Sequence, residues 1–193
     1  MKLLVCEGKD DQALLQGLVG QLGLEGVTIE PCEGVPSFDL FVRQLPKRGE
    51  FTRREVASLG IILDADLDRA ACWQRIRERV QEAFQIELRG ENQFAGDRPR
   101  IGGFIVGSGP SGNLEDLLLE ACRDKPGFSC LSDYFACLAK AMPDATFKSK
   151  ARFRAWMAAQ SKYDLRAGKA AEEGYIPFDS PVFDELKSFL RAL

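Results

Sequence analysis

Glu7, Asp64 and Asp66 are the residues of this 193-residue chain whose types and spacing could carry chemistry. Each follows a short apolar run: residues 3–6 precede Glu7, and residues 59–63 precede Asp64-Ala65-Asp66. Alternation along an extended backbone would aim Asp64 and Asp66 the same way while Ala65 points away. Carboxylates gathered in one place repel unless a proton or a cation neutralises them. Oxygen ligands of this kind suit Mg²⁺ or Mn²⁺ rather than zinc. Such an ion, held by one or two carboxylates, takes water and phosphate oxygens as its other ligands. It can activate a water and stabilise charge on a transferring phosphoryl group.

The composition excludes most other routes. The chain has no histidine. That removes Ser-His-Asp and Cys-His catalysis, histidine-ligated metals and imidazole proton shuttles. Six cysteines, at positions 6, 32, 72, 122, 130 and 137, contain no C-x-x-C pair, so a structural zinc site is not expected. Several lie in apolar runs, Cys137 beside Phe135 and Leu138 among them, and are expected to be buried free thiols of a reducing cytosol. A net charge of −3 excludes a generally basic nucleic-acid coat. The first residues lack the apolar length of a secretion signal, and no apolar run approaches the roughly 20 residues of a membrane span. A cytoplasmic protein is expected.

The elements that must position the acids follow from periodicity. Short apolar runs at 3–6, 27–31, 59–63 and 101–106 predict four strands. Between and after them lie helical patterns: one opened by Asp10 and Asp11 and ended by Gly23, one capped by Ser37 and ended by Pro46, one over 68–84, and one from Asn113 through Cys122. Segments 47–55 and 89–100 read as loops. Strands alternating with helices predict a parallel sheet covered on both faces, with its ligand site beyond the carboxyl ends of the strands. That edge is where Glu7, Asp64 and Asp66 fall, together with the 107–112 glycine-rich turn and Glu115-Asp116. Neighbouring strands lie about 4.8 Å apart, so acids on adjacent strand ends can reach one ion. The other reading of Asp10, Asp68, Glu115 and Asp116 is helix capping. From about residue 125 the chain reads as helical, over 131–142, 147–159 and 182–193. The expected organisation is an α/β domain over 1–124 and a helical extension over 125–193 packed on it.

The run Leu4-Val5-Cys6-Glu7-Gly8-Lys9-Asp10-Asp11, followed by Ile61-Ile62-Leu63-Asp64-Ala65-Asp66, resembles the signature of the Toprim domain. That domain occurs in topoisomerases, bacterial primases and nucleases of the overcoming-lysogenization-defect type. Gly112-Asn113-Leu114-Glu115-Asp116 and the ending Lys150-x-x-Phe153-x-x-Trp156 are similar to the small stand-alone Toprim-like proteins of the DUF3226 family. The resemblance implies a Toprim-like, Rossmann-like fold with a mostly parallel four-stranded sheet. It implies that Glu7, Asp64 and Asp66 bind Mg²⁺ or Mn²⁺, with Glu7 also assisting proton transfer. It implies that Asp11 and Glu115 hold a second ion, and that Lys150 (or Lys148) steadies transition-state charge. The extra domains of topoisomerases and primases have no counterpart in this chain.

Residues 147–169 carry seven basic residues, Lys148, Lys150, Arg152, Arg154, Lys162, Arg166 and Lys169, and one acid, Asp164, for a net charge of +6. Phe147, Phe153, Trp156 and Tyr163 are interleaved, which fits either a phosphate-tracking face or an amphipathic helix with a solvated basic side. The expected function is Mg²⁺-dependent phosphodiester hydrolysis of nucleic acid. The alternative is a non-catalytic metal- or nucleotide-binding module acting with a separate ATPase partner, since the chain has no phosphate-loop motif of its own.

Overall fold

The computed structural model describes residues 1–107, 109–162 and 166–193. Ser108 of the glycine-rich turn, and Tyr163 and Asp164 of the basic segment, lie outside the described residues. Four apolar runs form parallel strands: β1 (Lys2–Cys6), β2 (Val27–Pro31), β3 (Ser58–Asp64) and, after a short β4 (Phe94–Ala95), β5 (Arg100–Val106). The sheet order is β2-β1-β3-β5-β4. Lys2 stands opposite both Val27 and Ser58, and Ser58 opposite Arg100, so the carboxyl ends of the four strands share one edge.

The strands read as continuous apolar runs because both faces of the sheet are covered. Leu3, Val5, Leu59, Ile61, Leu63, Ile101 and Ile105 point to one core. There they meet Phe38 and Val42 of α2 (Val35–Gln44) and Ile76 and Val80 of α4 (Arg69–Phe84). Residues of the opposite parity, Leu4, Cys6, Ile62, Phe104 and Val106, point to the other core. This second core takes Leu14 and Leu18 of α1 (Lys9–Gln21) and Leu114 and Leu118 of α5 (Leu114–Ala121). It also takes residues of α7 (Ser149–Ala158), α8 (Ala167–Glu172) and α9 (Asp184–Ala192). The C-terminal third therefore shares one core with the sheet. A short α3 (Gly49–Thr52) lies between α2 and β3, and α6 (Phe128–Ala141) between α5 and α7. The architecture is α/β and Rossmann-like.

Several local expectations are corrected. The sheet has a fifth strand: β4 pairs antiparallel with β5 inside the segment read as a loop. Two residues are too few to show a period; the strand is held by Phe94, whose ring stacks on Phe189 of α9 at 5.0 Å. Ser37 does not cap α2, which begins at Val35 after Gly34, a residue at φ +93°. Residues 49–52 are helical rather than loop. All six cysteines are free, but Cys130 and Cys137 are exposed, not buried. They sit on a helix whose only buried residue is Phe135, so the apolar neighbours of Cys137 turn inward while the thiol turns out.

Helix α8 was not legible as a helix because its Ala-Gly composition carries no apolar period. Close approach explains that composition. A Cβ on Gly168 would collide with Ala13 of α1 and stand 3.2 Å from the Asp10 carbonyl oxygen. Gly168→Val is expected to cost roughly 1–3 kcal/mol by overpacking, read as a lower urea midpoint at unchanged slope. An unchanged midpoint would show that α8 can slide off α1 freely.

Candidate metal centre at the carboxyl edge of the sheet

Glu7 leaves the end of β1 and Asp64 ends β3, its immediate neighbour in the sheet. The Asp64 backbone lies close enough to the Glu7 carboxylate to favour its charged form. Its Oε2 is buried and has no hydrogen-bond partner. Asp11 lies in the first turn of α1, where its Oδ2 accepts from the Gly8 N–H at 2.7 Å. Glu115 lies in the first turn of α5. Asp66 is exposed, with its backbone in the left-handed region at φ +47°. It is fixed there by paired hydrogen bonds, Asp66 N–H to the Gly112 carbonyl at 2.8 Å and Gly112 N–H to the Asp66 carbonyl at 3.0 Å. Ala65 between the two aspartates is buried.

The fields of these five carboxylates overlap. Burial, then Asp66 and Asp11, raise the proton affinity of Glu7. Burial, then Asp11, Glu7, Glu115 and Asp66, push the Asp64 carboxyl up to about 9. Burial raises Asp11 to about 6, with Glu115 adding to it and the Gly8 N–H opposing it. A neighbouring thiol reports the same field: burial, then Asp66, Asp64 and Glu7, push Cys72 at the start of α4 up to about 12. The N-termini of α1 and α5 offset part of the repulsion for Asp11 and Glu115, since a helix start favours negative charge. Glu7 and Asp64 have no such helix of their own.

No three histidine, cysteine, aspartate or glutamate side chains among the described residues converge closely enough to enclose a metal ion. The donor set still fits a hard divalent cation. It is all carboxylate, it includes a buried oxygen without a partner, and a cation beside Asp64 would favour the charged form that burial and the neighbouring acids oppose. Mg²⁺ asks for one or two carboxylates and completes its shell with water, which is compatible with side chains standing this far apart.

The structure separates residues that adjacency in sequence could not. Asp116 is the helix cap. Its Oδ2 accepts from the Asn113 N–H at 3.0 Å, and Asn113 Oδ1 accepts from the Asp116 N–H at 3.1 Å. Asp116 also accepts from the Ser149 hydroxyl. Glu115, one residue earlier, turns toward the other acids. Asp68 caps α4, accepting from the Ala71 N–H at 3.0 Å. Lys150 Nζ stands 3.9 Å from Glu115 Oε1 and is the one lysine among the described residues that forms an ion pair with these acids; Lys148 is exposed without one.

The basic segment divides. Lys162 and Lys169 are paired with Glu173, and Lys169 also with Glu172, on the surface. Lys148, Lys150, Arg152 and Arg154 are exposed on the first turns of α7 or just before them. Arg152 lies over the Phe135 ring at 5.0 Å. It also lines a cleft of about 1410 Å³ beside the 107–112 loop, with Phe104, Leu117, Phe128, Arg69 and Arg123.

Arg69 is the residue that sequence reasoning missed. Its guanidinium grips Glu91 at 3.0 and 2.6 Å and donates to the Gly107 carbonyl at 2.6 Å, while its N–H donates to the Pro110 carbonyl at 2.8 Å. It therefore clamps the loop that carries Gly112, the partner of Asp66. Its place shortly after Asp64-Ala65-Asp66 was visible, but Glu91 lies in a segment with no periodic pattern.

No helix among the described residues is long and apolar enough to cross a membrane. Neither the curated proteins nor the solved structures include a match to this chain. The model of a family described as a protein of unknown function, DUF3226, matches residues 1–193, and the chain belongs to that family.

Proposed function

We propose that this chain is a Toprim-like phosphodiesterase that hydrolyses nucleic acid with Mg²⁺ or Mn²⁺. The observation that carries the proposal is the buried, unpartnered Oε2 of Glu7 beside an Asp64 whose burial opposes its charge. Glu7, Asp64 and Asp66 would hold the catalytic ion, with Asp11 and Glu115 on the α1 and α5 side available to a second. The ion would supply a more acidic bound water and charge stabilisation at the scissile phosphate. The Glu7 carboxyl, with its raised proton affinity, would accept a proton from an attacking water and return it to the leaving oxygen. Lys150 is long, exposed and close to Glu115, placed to pair with a non-bridging phosphate oxygen. The exposed cations of α7 would draw the polyanion to this edge, against the negative charge of the rest of the chain.

The test is cleavage of end-labelled RNA and DNA by purified protein with Mn²⁺, with EDTA and for Asp66→Asn. Cleavage should require Mn²⁺ and fall at least about a thousandfold in the variant, as when a metal-dependent step loses a ligand. Lys150→Ala should lower it about tenfold and leave Mn²⁺ binding unchanged. Cleavage equal in wild type and Asp66→Asn would sink the proposal.

The absence of any three converging ligands among the described residues favours a second reading. In it the acids bind a cation or nucleotide without turnover and the chain serves a separate ATPase partner. Mn²⁺ binding by calorimetry without cleavage of any nucleic acid would select this reading.

A further inference from the structure

We propose that α6 is a self-association surface on which a second copy of this chain packs antiparallel. Ten of its fourteen residues are apolar, yet Phe135 alone is buried. Phe135, with Phe128, Leu131 and Leu138 beside it, faces inward. The opposite face is exposed and carries Ser129, Cys130, Asp133, Ala136, Cys137 and Lys140. Tyr134 and Met142 flank it at 53% and 50% exposure, among the most exposed large apolar side chains of the chain. Only Ser129, Asp133 and Lys140 make this outer face polar; Cys130, Ala136 and Cys137 share it, with Tyr134 and Met142 at its edges, fewer polar groups than the solvent side of a surface helix normally shows.

The charges on this face identify the occupant. Asp133 and Lys140 are seven residues apart, about two turns, and so lie on one side of the helix. Neither has an ion-pair partner among the described residues, so both are available to a second copy. A two-fold axis makes residue i meet j and j meet i. In an antiparallel pair centred between Ala136 and Cys137, Asp133 faces Lys140 of the partner subunit, and Lys140 faces Asp133 of the partner subunit. Both ion pairs form in one register, and small side chains occupy the crossing point, where they permit close approach at the short end of the usual 8–10 Å. A parallel pair would set like charges opposite each other. One helix pair buries less than the roughly 1,200–2,000 Å² of a stable interface, so the dimer is expected to be reversible, with dissociation in the micromolar range. The inference does not depend on what the acids at the sheet edge do.

The test combines sedimentation velocity with charge exchange in the full chain. Wild type should shift from monomer to dimer as concentration rises. Asp133→Lys and Lys140→Asp should each raise the dissociation constant about tenfold or more, since each reverses two symmetry-related contacts. The double exchange should restore it, which a folding defect could not do. The register makes a second demand. With copper phenanthroline and air as oxidant, Cys137 should cross-link to Cys137 of the partner subunit, because both sit at the axis. Cys130 should not, being about 20 Å from its symmetry mate at 1.5 Å of rise per residue. Cross-linking should vanish in Cys137→Ser and persist in Cys130→Ser. A monomer at every attainable concentration, a double exchange that stays dissociated, or cross-linking through Cys130 would each overturn the proposal.

Discussion

Asp64→Asn is expected to stabilise the metal-free protein at pH 8 and to abolish the stabilisation that Mn²⁺ confers on wild type. The Asp64 carboxyl is pushed from an ordinary 3.8 up to about 9, first by burial and then by Asp11, Glu7, Glu115 and Asp66. A folded-state value above the unfolded one means that folding favours the protonated form. That contribution is fully present below about pH 4, declines as pH rises, and is lost by about pH 9. Asp11, raised to about 6, acts in the same direction over a narrower window. In EDTA the wild-type melting temperature should therefore fall between pH 4.5 and pH 8.5 by more than that of Asp64→Asn. Asparagine keeps the size of the side chain and removes the charge, so the variant loses most of the slope. At a Mn²⁺ concentration 100 times its dissociation constant, the wild type should gain about 2.7 kcal/mol. For a chain of this size that is roughly 5–10 °C. Thermal melts of both proteins, with EDTA and with Mn²⁺ across that pH range, give all four curves. A wild-type stability that rises with pH in EDTA would falsify the crowding of charge at this edge.

Phe189→Ala should produce the largest loss of stability of any single change considered for this chain. Phe189 is 1% exposed and occupies the centre of the second core. Its ring stacks on Phe94 at 5.0 Å, tilts against Phe104 at 5.5 Å, and lies where a Cβ on Gly60 would be 3.2 Å from it. One side chain thus joins α9 to β3, β4 and β5. Phe→Ala in a core costs about 3–5 kcal/mol, the transfer term plus an unfilled cavity, against a total of about 5–15 kcal/mol for a domain. The melting temperature should drop by roughly 10 °C. β4, which has only two residues and relies on the Phe94–Phe189 stack, should lose hydrogen-exchange protection first. The increment from Mn²⁺ should persist in whatever fraction remains folded, because the acids sit on the carboxyl ends of the strands. Loss of the increment together with stability would show that α9 also sets the geometry of that edge.

The parallel strands were legible because each is buried on both faces, which leaves an uninterrupted apolar run. The cap of α4 was legible because Asp68 directly precedes the helical pattern. α9 was legible because Leu186, Phe189, Leu190 and Leu193 repeat at helical spacing, and all four are buried. β4 and α8 were not legible. One is too short to show alternation and the other is made of small residues chosen by contact with α1. Glu115 and Asp116 show the limit most sharply. Both are acids in the same first turn, and a rotation of about 100° between neighbouring helical positions sends one to a cap and the other toward Glu7. The positive charge of residues 147–169 was plain, but its partial cancellation by Glu172 and Glu173 depends on how α8 is placed.

By itself, the sequence determined which chemistry this protein has available. A chain without histidine must draw any catalysis from carboxylates, lysines, cysteines or a hard metal ion, because side-chain type sets proton affinity and ligand preference. Only the tertiary structure decided which acids share one field. Coulomb interaction and desolvation depend on distance and burial, and residues 57 positions apart acquire both only when β1 and β3 pair. The same holds for α6: its apolar composition was written in the chain, but that it faces solvent rather than the core follows from which side of the helix the fold left uncovered.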